Sequence, residues 1–381
     1  MVTDLDVPTL KTPCCQKNVR TASLVCLPEW LKSQQLTTDQ IKPVPRTISP
    51  NNIALLPRDV LSSGKFKVCS GHQGTFISDP ANPSVVYKKC STPDANEIGV
   101  YACLMQDEDI KPCVAQYYGL RGSEDGQQFL KLENVCNHFE KPAVMDIKLG
   151  SRTFLESEVS NLKKREDLYQ KMVAVDPNEP TEKEHADKAI TKLRYMQFRE
   201  RESSSSNLGF RVDAMKTASG ELTQNFKKIR TREQVGHVIG KFLSGAPVGH
   251  CERLLHRLQE IVTHLVSSEF FARHELIGSS ILIMYDQDNI GAWLIDFAKT
   301  VPLPEDISVD HQSPWRSGNH EDGYLFGLRN LIEVLGDVSN FSRSKITGAP
   351  LCEHEPSKCL LLQKLHSGIL YGSGIPNLKV M

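Results

Sequence analysis

Residues 142–150, Pro-Ala-Val-Met-Asp-Ile-Lys-Leu-Gly, constrain this chain more than any other stretch. They read as a short apolar strand bounded by a proline and a glycine. Side chains two apart in a strand share a face, so Asp146 and Lys148 project together while Met145 and Ile147 face the other way. A carboxylate beside an ammonium can take a proton from a hydroxyl while the cation steadies an anionic transition state. Taken alone, the pair reads equally well as a solvated strand face, because exposed ion pairs are common and weak. A second acidic strand end shifts the balance. Residues 294–300, Leu-Ile-Asp-Phe-Ala-Lys-Thr, close an apolar strand on Asp296, where phosphoryl-transfer enzymes place a metal-binding aspartate.

Three motifs now stand in order: P-x-x-x-D-x-K-x-G at 142–150, Ser279-Ser280-Ile281-Leu282, and I-D-F-x-K-T at 295–300. In this pattern the chain resembles the inositol polyphosphate kinase family, and within it the inositol-1,4,5-trisphosphate 3-kinase branch, over roughly residues 64–338. The resemblance implies an α+β, two-lobed, kinase-like fold of the ATP-grasp or protein-kinase-like kind. It would have an antiparallel small-lobe sheet, a mixed large lobe and a helical insert that binds substrate. The implied reaction transfers a phosphoryl group from ATP, with Mg2+, to the 3-hydroxyl of inositol 1,4,5-trisphosphate, in calcium and inositol phosphate signalling. The alternatives are a broader-specificity multikinase and a degenerate protein that binds inositol phosphates without catalysis.

The totals agree with a sizeable folded core in 381 residues. Basic and acidic residues nearly cancel, 45 against 46, which argues against a general nucleic-acid or membrane-surface binder. Eleven irregularly spaced cysteines and a start without a basic, apolar leader read as reduced thiols in a cytoplasmic protein. No apolar run is long enough for a transmembrane segment.

Residues 1–62 carry prolines at 8, 13, 28, 43, 45, 50 and 57 and read as a tail, mostly disordered or loosely docked, with Cys14-Cys15 as an isolated doublet. Residues 63–340 form the expected catalytic domain. Its small lobe covers 63–134, its large lobe 135–160 and 234–340, and its insert 161–233; a C-terminal extension covers 341–381. In the small lobe, strands flank a Gly71–Gly74 turn suited to covering phosphates. Lys88 ends an apolar strand and would reach ATP phosphates as a point charge, with Glu97 on the following helix as its partner. By the resemblance, the hinge after residue 132 receives adenine, and Glu133 is the expected side-chain contact. The family commonly carries a lysine where this chain has Ile77, and a glycine where it has Ala298.

In the insert, Pro177 and Pro180 precede Thr181, a predicted N-cap for one helix running to about residue 201. On it Lys192, Tyr195 and Arg199 fall at i, i+3 and i+7, on one face. Ammonium, phenol and guanidinium together suit a small polyphosphate, although a solvated basic face would show the same spacing. The resemblance assigns them to the acceptor's phosphates, with Arg165 and Lys216 as further contacts and Lys148 shared with the reacting group. Residues 203–206, all serine, read as a polar loop. Ser280 and Asp296 would meet at the base of a hairpin as magnesium ligands, Ser279 being the alternative to Ser280.

Two expectations concern the ends. The branch is often activated by calcium–calmodulin through a basic, tryptophan-containing segment before the small lobe. Residues 48–67 have no tryptophan and are broken by Pro50 and Pro57, which counts against that partner. Cys352, His354, Cys359 and His366 fit no zinc-finger spacing.

Overall fold

Two antiparallel sheets grow from the alternation of apolar residues. The computed structural model describes residues 54–56, 75–90 and 96–347, the last seven as backbone only. The expectations placed on the tail, the Gly71–Gly74 turn, Cys14-Cys15, most of 48–67 and the Cys352 to His366 group lie outside the described residues.

In chain order, β1 (Phe76–Ser78) and β2 (Val85–Lys89) make a hairpin, followed by α1 (Asn96–Leu104), β3 (Tyr117–Gly122) and β4 (Gln128–Glu133). These strands form a four-stranded sheet in the order β1-β2-β4-β3, antiparallel throughout. Next comes β5 (Ala143–Leu149), the motif strand. The following excursion contains β6 (Lys164–Arg165), α2 (Glu166–Val173), α3 (Glu182–Asp187), β7 (Ile190–Thr191) and α4 (Lys192–Glu202). The chain then returns through β8 (Phe210–Lys216) and β9 (Leu222–Thr223) to α5 (Arg232–Leu243) and α6 (His250–Ser267). It finishes with β10 (His274–Leu276), β11 (Ser280–Tyr285), β12 (Ile290–Ile295), β13 (Thr300–Pro302) and α7 (Tyr324–Thr347). The second sheet has the order β12-β11-β5-β8-β9, again antiparallel, with β5 at its centre.

The period-two reading of β5 holds. Ala143, Met145, Ile147 and Leu149 are buried in the main core with Leu254, Leu258 and Ile261 of α6 and Leu328 and Leu331 of α7. Apolar side chains on this face leave water for α6 and α7 and supply the burial that holds helices to sheet. Val144, Asp146 and Lys148 look to the other face. There Val144 and Met284 join Ala115 and Val135 in a smaller apolar cluster, with Leu282 and Trp293 half-buried against it.

Three expectations are corrected. The single helix expected from Thr181 to about 201 is two helices. Lys188 takes a left-handed φ of 49°, and Ile190-Thr191 pairs with Lys164-Arg165 as a two-stranded ribbon. Thr181 caps α3 with Glu184 in a reciprocal capping box, and Thr191 caps α4 by accepting from the Arg194 N–H. Secondly, the expected insert 161–233 takes in too much: Phe210, Val212 and Ala214 are buried in alternation, and β8 is an inner strand beside β5. Thirdly, the serine run is not a polar loop. Ser203, Ser204 and Ser205 are fully buried, and the first two hydroxyls donate to the carbonyls of Arg199 and Phe210.

Two glycines close the excursion. Gly150 has a φ of 99°, and a Cβ there would stand 3.1 Å from the Asp322 carbonyl oxygen. Its N–H donates to the Gly209 carbonyl at 2.8 Å. Gly209, with a φ of 68°, lies so close to α7 that a Cβ on it would meet the Gly327 nitrogen at 2.8 Å.

Candidate active site

Lys88, the penultimate residue of β2, pairs with Phe76 across the hairpin, and its Nζ contacts Glu97 of α1 at 2.8 Å and Asp296 at 2.6 Å. One ammonium thus joins the small sheet, the helix and the end of β12. Asp296 sits one residue past that strand with a φ of 65°, a conformation that aspartate adopts more readily than most residues. Burial works to raise its pKa, but the Lys88 ammonium outweighs it and holds the carboxyl below the usual range. Lys88 is itself pushed well above an ordinary lysine: burial opposes its charge, and Asp296 and Glu97 more than offset that. The two sequence departures noted above, Ala298 and Ile77, lie beside this corner in sequence. Ala298 is exposed and is not among the described residues with positive φ, so its methyl meets no backbone penalty. Ile77 pairs with Tyr87, and strand alternation directs it away from the face that carries Lys88.

Asp146 is 4 % exposed. Lys148 reaches the Gly278 carbonyl at 2.8 Å and Ser280 Oγ at 3.4 Å. The register sets Ser280 opposite Lys148 and next to Ile295, the residue before Asp296. Ser279, the alternative, points into the core, where its hydroxyl donates to the Ile295 carbonyl and lies 3.1 Å from Tyr324 Oη.

On the opposite side of β5, Arg211 of β8 faces Lys148. The β5–β8 register slips between Asp146 and Ile147, leaving Asp213 as the extra residue. A bulge re-aims side chains. Here Asp213 binds Arg211 Nε at 2.9 Å and lies 3.9 Å from Lys148 Nζ. Around this pair gather Tyr195 and Arg199 of α4, Lys192 at its start, and Lys299. The Arg199 guanidinium is pulled below its ordinary value, by burial first and by Arg211 next. Lys299 is lowered by burial first, then by Lys192, with Lys148 and Arg211 adding to it. Glu158, from the 3-10 turn Glu156–Glu158, pairs with Lys192.

Of the residues expected from sequence, the structure brings Lys88 and Asp296 together and sets Lys148 beside Ser280. Lys192, Tyr195 and Arg199 join a cationic group that also draws in Lys148. Arg165 stands on the neighbouring ribbon, opposite Ile190, and makes a two-point pair with Asp167 at 2.9 and 2.7 Å. Lys216 lies apart: it pairs with Val144, at the other end of β8 from Arg211. Glu133 is held at the hinge by the Gln116 N–H at 3.1 Å and His138 Nε2 at 2.8 Å. Arg211, Asp213, Glu158 and Lys299 escaped the sequence reading. The signals were available for two of them, since Lys299 is the lysine of I-D-F-x-K-T and Arg211 follows Gly209-Phe210.

A second acidic group lies behind the motif strand. Glu156, Glu275 and His320 bring their ligand-type atoms within 4.8 Å of one another. The buried Arg152 guanidinium occupies their midst, 2.5 Å from Glu275 and 3.6 Å from Glu156. The carboxylates there are already neutralised, and the group acts as a structural knot.

The site thus gathers a buried acid, an ammonium two residues on, a half-exposed aspartate past a strand end and a group of cations that outnumber the carboxylates ion-paired with them. The sequence profile of the inositol polyphosphate kinase family matches residues 129–336, and the chain belongs to that family. It is 43 % identical over 295 residues to an inositol-trisphosphate 3-kinase homolog of Caenorhabditis elegans, which covers 76 % of this chain and 59 % of the relative. To human inositol-trisphosphate 3-kinase A it is 44 % identical over 275 residues, 71 % of this chain and 58 % of that one. The chain therefore spans less than three fifths of the length of these relatives. Among solved structures it is similar to the inositol phosphate multikinase Ipk2 of S. cerevisiae, in complex with ADP and Mn2+. The TM-score is 0.43 at 18 % identity, over 66 % of this chain and 98 % of that one.

Proposed function

We propose that the protein transfers the γ-phosphate of ATP to the 3-hydroxyl of inositol 1,4,5-trisphosphate, giving inositol 1,3,4,5-tetrakisphosphate. The observation that carries this reading is the company of Arg199 and Arg211. Two guanidiniums side by side, with Lys148, Lys192 and Lys299 around them, repel one another until a polyanion arrives. The similar 3-kinases of worm and human, at 43–44 % identity, support the same substrate class.

Asp146 accepts the proton of the acceptor hydroxyl as that oxygen attacks the γ-phosphorus. Its burial in the sheet fixes the carboxylate beside the acceptor, so that little reorganisation is needed. Lys148, tethered to the Gly278 carbonyl, stabilises charge on the phosphoryl group in transit. Lys88 neutralises ATP phosphates, and the apolar cluster of Val144, Met284, Ala115 and Val135 beside the hinge offers a flat seat for adenine. Asp296 fits a magnesium ion: its carboxylate is 43 % exposed, ionised, and has one oxygen on Lys88 and another to offer. Bound with ATP, magnesium would supply charge neutralisation at the β- and γ-phosphates. Ser280, close to the Lys148 ammonium, serves to orient that lysine. Tyr195, Lys192 and Arg199 orient the acceptor, and Arg165 joins them by exchanging Asp167 for a phosphate.

The test is an ATP–Mg2+ assay with inositol 1,4,5-trisphosphate, the product isomers being resolved by chromatography. A single 3-phosphorylated product is expected. Transfer to several hydroxyls would move the protein to the multikinase class, and acceptor binding without ATP consumption would mark a degenerate site.

A further inference from the structure

We infer that Glu158 is a specificity-determining residue: a carboxylate built into the cationic cradle that limits how many phosphates an acceptor can bring. The inference rests on the reading of the cradle given above.

The cradle contains five cations, Lys148, Lys192, Arg199, Arg211 and Lys299, and two carboxylates close against them. Asp213 has an evident task, since it holds Arg211 and approaches Lys148. Glu158 is placed differently. It comes from the turn just after the Gly150 end of β5, not from α4, and its Oε1 meets the Lys192 ammonium across the mouth of the excursion. Its Oε2 accepts the Leu155 N–H at 3.0 Å, so the carboxylate is pinned from behind and does not swing away. Its side chain is only 14 % exposed. Burial opposes its charge, but Lys192, the Leu155 N–H and Lys299 together keep it ionised and lower its pKa.

A lysine ammonium has three donors. With one committed to Glu158, Lys192 can still take one phosphate on its remaining side. A second phosphate converging on the same ammonium would meet the carboxylate. Partners are discriminated as much by such repulsion between like charges as by attraction. Glu158 therefore favours a trisphosphate over inositols that carry additional phosphates on the α4 side of the ring.

The test uses the full chain with Glu158→Gln, Glu158→Ala and Glu158→Asp. For each, kcat/KM is measured for inositol 1,4,5-trisphosphate and for tetrakis- and pentakisphosphates that keep the 3-hydroxyl free. Glu158→Gln and Glu158→Ala should raise the ratio of higher phosphates to trisphosphate by about tenfold or more, chiefly through KM. Glu158→Asp should keep the wild-type ratio. An unchanged ratio in both neutral variants overturns the inference, as does equal relaxation by Glu158→Asp, which would make packing the cause. If the wild-type protein transfers no phosphate, the functional reading fails. The same ratio, taken from dissociation constants by calorimetry, then still decides the role of Glu158.

Discussion

The two halves of the site balance their charges in opposite ways. At the nucleotide corner one buried ammonium, Lys88, lies between two carboxylates, Glu97 and Asp296, and every charge has a partner within 2.8 Å. At the acceptor cradle five cations crowd together, and Arg199 and Lys299 are held below their ordinary values, by burial first and by neighbouring cations next. The corner is a finished structure that must rearrange to receive phosphates. The cradle is unfinished until an anion enters. Internal pairing stabilises the empty protein, whereas unmatched charge is a cost carried in the empty protein and relieved by its ligand.

Substitutions can break this contrast. The largest effect belongs to the carboxylate that serves both halves. Asp146→Asn should lower turnover by about 10³-fold, within the range for a lost general base, while acceptor binding measured by calorimetry stays near wild type. At the corner, Lys88→Met strands Glu97, which is 8 % exposed in its side chain. Breaking one partner of a buried pair costs roughly 3–5 kcal/mol, so the denaturant midpoint should fall clearly even without ligand. At the cradle, Arg199→Gln removes one of two mutually repelling guanidiniums. The ligand-free midpoint should hold or rise, while KM for the trisphosphate rises roughly 10- to 100-fold, the worth of hydrogen bonds to a charged group. If Arg199→Gln destabilised the empty protein as much as Lys88→Met, the contrast would be wrong.

A smaller effect tests a third ion pair, remote from both halves. His311 is buried, with Nδ1 3.0 Å from Asp322 and Nε2 3.0 Å from the Phe271 carbonyl, so both ring nitrogens donate and the ring is an imidazolium. Burial opposes that charge, but Asp322 prevails and raises the pKa above 6.5. A raised folded-state pKa contributes stability that is fully present below the unfolded value and lost as pH rises through the folded one. The Tm gap between wild type and His311→Asn should therefore be widest near pH 6 and narrow towards pH 9. A gap that widened with pH would show that the ring is neutral.

The residues borne by strands were more legible in the sequence than the rest of the site, for a physical reason. Asp146 and Lys148 sit on a strand, and Asp296 one residue past another, whose period of two is written in their apolar neighbours, and Thr181 announces its helix through the capping box with Glu184. Local spacing also placed Lys192, Tyr195 and Arg199 on one face, even though the helix around them begins ten residues later than expected, with Thr191 and not Thr181 as its cap. What spacing does not carry is the return of the chain. Arg211 and Asp213 enter the site because β8 pairs with β5 and bulges there, and Glu158 because a turn 34 residues before Lys192 folds back on it. Those partnerships are set by tertiary pairing. Lys216 shows the same point in reverse: the resemblance assigns it to the acceptor's phosphates, and the strand places it opposite Val144, at the other end of β8 from Arg211.

The hydrogen bond from the Gly150 N–H to the Gly209 carbonyl has a consequence beyond the site. It joins the doorway through which the chain leaves the sheet to the one through which it returns. The excursion between them is tied back at further points as well, by Arg152 to Glu275 and by the Trp315 indole N–H to Glu156, but the sheet order on either side does not depend on its length. Extending such an excursion adds little closure entropy. On the function proposed above, the segment that carries α4 is thereby a cassette: one lineage, or one engineer, can exchange it for another while the sheet and the residues of β5 stay in place.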